Sequence, residues 1–123
     1  MSNAINWFEI PVTDMDRAIK FYSKIFSYPI MNRMQMDEID MAFFPMTGEG
    51  VGGSLCKGMW YKPTQDGVVV YMNGGNDLSL PLSKIEEAGG KIIMPKKLIT
   101  PEIGYMALFI DSEGNRIALH SNK

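Results

Sequence analysis

With 123 residues, 46% hydrophobic and 21% charged, and a formal net charge of -2, the chain is one domain that hides roughly two thirds of its unfolded surface. The apolar fraction excludes a disordered chain, scattered lysines make nucleic acid no expected partner, and no apolar run approaches the ~18 residues of a membrane span. One Cys and one His exclude an internal disulfide, a zinc finger and a Cys-rich cluster; with no basic-then-apolar N-terminal stretch, the expected compartment is the cytoplasm.

The first strand is expected from Trp7 to Val12. Alternation puts Phe8, Ile10 and Val12 on one face and Trp7, Glu9 and Pro11 on the other. Thr13, with Asp16 three residues on, gives a capping-box-like start to a helix from about Met15 to Phe26. Ala18, Phe21, Tyr22 and Ile25 form its apolar stripe. A strand from Pro29 to Met34 follows, then one through Glu38 to Phe44. The glycines between Gly48 and Gly53 lack the strand-to-helix setting of a phosphate loop, which excludes a nucleotide site. In the next strand Leu55 opposes Ser54 and Cys56.

Gly58 to Asp66 reads as a linker, its Trp60 and Tyr61 either packing the joint or covering a cavity. The second half opens with a strand from Val68 to Asn73, where Val68, Val70 and Met72 oppose Val69, Tyr71 and Asn73. A helix from about Ser79 to Ala88 presents Leu78, Leu82 and Ile85 and stops at Gly89-Gly90. Pro81 must sit in its first turn, so it is short. Strands from Lys91 to Met94 and from Glu102 to Phe109 lead to the turn Glu113-Gly114-Asn115. In the last strand Ile117 and Leu119 oppose Ala118 and His120.

The two halves repeat each other. Glu49-Gly50 and Leu55-Cys56 recur as Glu113-Gly114 and Leu119-His120, at a constant offset of 64 residues. The fold class is therefore α+β: two βαβββ modules in one domain over residues 1–123, spanning about 5–57 and 67–121 with a linker at 58–66. A curled mixed sheet around a central cleft is expected, with helices on its convex side. The cleft side collects Glu9, Ser54, Cys56, Tyr71, Asn73 and His120, and the eleven methionines suit an adaptable apolar wall.

Two such modules, with Val12-Thr13-Asp14-Met15-Asp16-Arg17-Ala18, Phe21-Tyr22, Gly89-Gly90-Lys91 and Phe109-Ile110-Asp111-Ser112-Glu113-Gly114-Asn115-Arg116-Ile117, resemble the vicinal-oxygen-chelate superfamily. That superfamily holds glyoxalase I, extradiol dioxygenases and bleomycin-resistance proteins. In its metal-dependent members, His and Glu from four strands cup a divalent ion. The resemblance places those four positions at Trp7, Ser54, Val69 or Val70, and Ala118, so no cofactor and no metal-dependent glyoxalase I reaction is expected.

Glu9 and His120, each two residues beyond a lost ligand, are the candidate catalytic pair, and the only metal ligands on offer should a metal bind. Trp7, Ser54, Cys56, Trp60, Tyr71 and Asn73 are the candidate ligand-binding residues. Two functions are open: a lyase or isomerase using Glu9 and His120 as base and acid, or a non-catalytic protein that sequesters an antibiotic-like small molecule. The resemblance further implies a homodimer.

Overall fold

The computed structural model describes residues 3–27, 31–46 and 48–123. In chain order its elements are β1 (Trp7–Pro11), α1 (Met15–Phe26), β2 (Asn32–Met36), β3 (Ile39–Phe43), β4 (Gly52–Lys57), β5 (Tyr71–Asn73), α2 (Ser79–Leu82), β6 (Lys91–Thr100), β7 (Gly104–Ile110) and β8 (Arg116–Ser121). They form two four-stranded sheets: sheet one in the order β1-β4-β3-β2, sheet two in the order β5-β8-β7-β6. In each, the first strand of the module runs parallel to the last, and the other pairings are antiparallel. The fold is α+β, built from two βαβββ modules.

Helix α1 has the expected bounds but a different cap. Asp14, not Thr13, accepts from the Arg17 amide at 3.0 Å. Thr13 is drawn away by Glu113, which accepts from its amide at 2.8 Å and its hydroxyl at 3.0 Å. The second helix is four residues long and continues as turns to Gly89. Leu78 at its N-cap offers no side-chain acceptor, Pro81 lacks an N–H, and the Ser83 hydroxyl donates back to the Leu80 carbonyl at 2.7 Å. Strand β6 runs ten residues instead of four, through Pro95. It lies at the edge of sheet two, where a proline costs no ladder bond on its open side. Strand β5 is shorter than expected, with Val68 90% exposed ahead of it. The strand expected from Pro29 begins at Asn32; Pro29 and Ile30 lie outside the described residues.

Both sheets bury their apolar faces in one core. Ile10, Val12, Ala42 and Leu55 of the first module share it with Ala107, Phe109, Ile117 and Leu119 of the second. Helix α1 joins the two. Phe21 packs on Phe109 with ring centroids 6.0 Å apart. Tyr22 stands edge-on to Phe44 at 5.5 Å while its hydroxyl donates to Asp111 Oδ2 at 2.7 Å. The opposite face of each sheet is the open one.

At the N-terminal end of α1 a polar clamp locks the modules together. Glu113, its side chain wholly buried, also accepts from the Asp14 amide at 2.8 Å and from Arg17 Nε at 2.7 Å. Asn115 Nδ2 donates to the Pro11 carbonyl at 2.7 Å. Asp111 Oδ1 gathers the Glu113 and Asn115 amides, both at 2.9 Å. Gly114, at φ +95°, supplies the left-handed residue that lets this turn point Glu113 inward. The turn expected only to shape a hairpin is thus also the fastening between modules.

Candidate functional site

On the open face of sheet one the register sets Glu9 beside Ser54, Ser54 beside Phe43, and Cys56 beside Met41. Glu9 is exposed at one end and held beneath. Tyr61 Oη donates to its Oε1 at 2.9 Å, and Cys56 Sγ donates to its Oε2 at 3.4 Å. Since the thiol gives its only proton to Glu9, Ser54 Oγ, 3.3 Å from the sulfur, donates to it. Burial pushes the Cys56 thiol up to about 11, with the neighbouring Glu9 charge reinforcing it against the Ser54 bond. Burial, then the bond to Glu9, pushes the Tyr61 hydroxyl up to about 12. Both groups therefore remain protonated donors at neutral pH. Cys56 is not poised as a nucleophile. It and Ser54 lie fully buried under Glu9.

An apolar surface surrounds this carboxylate. Trp7 meets Phe43 edge-on at 6.0 Å. Met34 pairs with Met41 across β2 and β3, and Met34 and Met36 are each nearly half exposed. Trp60 stands 80% exposed in the linker. Tyr61, one residue on, reaches Glu9 because a turn closes from its amide to the Gly58 carbonyl at 3.1 Å. Nothing in the residue pattern assigns Tyr61 to Glu9; its only signal is an aromatic residue in a short linker.

His120, Tyr71 and Asn73 occupy the open face of sheet two, where Asn73 pairs with His120 and Tyr71 with Ala118. Together with Ile99 and Ile103 they line a cleft of about 650 Å³. His120 Nε2 lies 2.6 Å from the Ile103 carbonyl, which can only accept, so that nitrogen carries the proton. Tyr71 Oη contacts Met106 Sδ at 3.9 Å, and Asn73 Oδ1 accepts from the Gly75 amide at 2.9 Å. Glu9 is not among the residues lining this cleft. This cleft does not bring Glu9 to His120 in the way the sequence leads one to expect.

The pairing also resolves how the modules correspond. Tyr71 stands beside Ala118 as Glu9 stands beside Ser54. Tyr71 is therefore the counterpart of Glu9, and Val69, two residues earlier, that of Trp7.

A family model described as the Glyoxalase/Bleomycin resistance protein/Dioxygenase superfamily matches residues 4–119. The chain belongs to this superfamily. A glyoxylase-like domain-containing protein from Didymella fabae is 28% identical to it, the match covering 94% of this chain and 91% of that one. Among solved structures, a glyoxylase/bleomycin resistance protein/dioxygenase domain from Frankia sp. EAN1pec superposes with a TM-score of 0.74 at 14% identity, over 100% of both chains. TnmS3, an antibiotic binding protein from Streptomyces sp. CB03234, gives 0.64 at 20% identity, over 100% of this chain and 99% of that one. Glyoxalase I from Zea mays gives 0.66 at 19% identity; the match covers 94% of this chain but only 45% of that enzyme.

A divalent metal of the kind bound by metal-dependent members does not fit the side chains here. Trp7, Val69 and Ala118 offer no lone pair suited to a hard or borderline cation, and Ser54 Oγ is buried and engaged with Cys56. Among the described residues no three His, Cys, Asp or Glu side chains converge.

Proposed function

We propose that the protein is a small-molecule binding member of the superfamily, and that it holds its ligand on the open face of sheet one with Glu9 as the polar anchor. The arrangement of Glu9 carries this reading. A carboxylate fixed by two donors, exposed at one edge and ringed by Trp7, Phe43 and methionines, suits a bulky apolar ligand bearing a cation or a strong donor. The likeness to an antibiotic binding protein is compatible with it. Because Trp7 lies on this face and Trp60 beside it, titration with cationic and neutral aromatic compounds is expected to change tryptophan fluorescence saturably. A panel that leaves the emission unchanged overturns the reading.

No metal is needed for such binding. Elemental analysis of the purified protein is expected to find far less than one zinc, nickel, manganese or iron per chain; a stoichiometric metal contradicts the donor set described above.

A lyase or isomerase is the second reading, favoured by the apolar surface that Trp7, Met34 and Met36 leave exposed on sheet one. A second copy laying its sheet two over sheet one would bring its His120 towards Glu9, giving an acid–base pair across the interface. Trp7, Met34, Met36 and Trp60 are apolar surface that such a copy would cover. Light scattering at micromolar concentration is then expected to give twice the 13.8 kDa chain mass. A mass of one chain removes both the homodimer and the paired acid–base site.

A further inference from the structure

The seam between the modules is filled at one end of α1 and hollow at the other. At its N-terminus Glu113, Asp111 and Asn115 bridge the gap with hydrogen bonds. Beyond its C-terminus a cavity of about 820 Å³ opens, within the range of small-molecule pockets. Its walls include Ile5, Phe8, Ile25, Val51, Leu80 and Pro81. A Cβ at Gly53 would strike the Phe8 ring, so the glycine is what lets that ring lie on the β4 backbone.

Among the described residues of this lining Lys84 is the only charged one. It is half-buried, and its Nζ donates to Ser27 Oγ at 2.7 Å. No carboxylate pairs with it among the described residues. An ammonium has three N–H groups, so two are left for a partner. Around α1's C-terminus the last carbonyls carry about half a negative charge, which the full charge of Lys84 outweighs. A hollow with apolar walls and a single available cation matches a ligand with an apolar body and a single anionic end.

We propose that this cavity binds an apolar monocarboxylate, its chain against Phe8, Val51 and Leu80 and its carboxylate on Lys84 Nζ. The site is separate from Glu9 and does not rest on the function proposed for it.

Calorimetric titration of the full chain with decanoate, below its micelle concentration, tests this. One site per chain is expected, with affinity rising about fourfold per methylene from octanoate to decanoate. Lys84→Gln should weaken decanoate binding by about tenfold or more, Lys84→Arg should retain it, and Lys20→Gln on the exposed side of α1 should leave it unchanged. Leu80→Glu, at a largely exposed position in the lining, should also weaken it through like charge. Three results would overturn the proposal. One is no saturable binding in the native chain below about 1 mM. Another is decanol binding as tightly as decanoate. The last is a Lys84→Gln variant that melts at lower temperature yet binds decanoate unchanged, which would make Lys84 only a partner of the α1 terminus.

Discussion

Glu113→Ala is expected to lower the unfolding free energy by about 3 kcal/mol at pH 7, among the larger single losses available in this fold. The larger part of the cost does not come from Arg17, whose side chain is 52% exposed and can return to water. It comes from the Thr13 and Asp14 amides, which lose their acceptor at the start of α1. The same site sets a pH dependence. Burial alone would raise Glu113, but the Arg17 guanidinium and the two amides outweigh it and hold the carboxyl down from 4.5 to about 2. A depressed folded-state value means the stabilisation is fully present above 4.5 and lost as pH falls towards 2. Across that window this group alone removes about 3 kcal/mol. Urea unfolding of the native chain and Glu113→Gln between pH 7 and pH 2 should give curves that converge on acidification. Parallel curves would show that the clamp contributes nothing to stability.

The clamp also shows what a sequence can and cannot carry. Helix α1 was legible, because Ala18, Phe21, Tyr22 and Ile25 fall on one stripe; Ser27 at φ 56°, which closes its end, was not. Nor was the helix's N-cap, since Thr13 and Asp14 are chemically equivalent candidates and the choice is made by Glu113, a hundred residues away. Strand β6 was read too short for a similar reason. Pro95 is a break signal in a central strand and harmless at an edge, and edge position is a property of the whole sheet. Alternation was the dependable guide. It puts Ile10 and Val12 in the core and Glu9 on the open face, as the structure does.

For the site, alternation states which face of its own strand a side chain takes, and nothing about how two sheets are set against one another. Alternation therefore assigns Glu9 and His120 to open faces, while a common cavity for them is a statement about sheet packing that alternation does not carry. Tyr22 touches Phe44 of one module and Asp111 of the other, which makes α1 a bridge between the modules. Tyr61 escaped because it reaches Glu9 from a turn, where no periodicity marks direction.

Glu9→Gln is expected to weaken binding of a cationic aromatic ligand about ten- to a hundredfold, the range for losing one charge-assisted hydrogen bond. The amide keeps the shape of the carboxylate and one carbonyl oxygen for Tyr61 or Cys56, so the apolar wall of Trp7, Phe43 and Met41 should stay in place. A neutral aromatic of the same size should accordingly lose no more than about twofold. Tyr61→Phe removes one of the two donors that fix Glu9 while leaving its charge, and should cost about three- to tenfold for the cation. Fluorescence titration of the three proteins with one cationic and one neutral compound reads all of this at once. Equal losses for both compounds would mean that Glu9 shapes the surface without anchoring a charge. If a substrate is found, the same variant separates the two readings of the protein: Glu9→Gln abolishes turnover when Glu9 moves a proton, and only raises the dissociation constant when Glu9 merely holds the ligand.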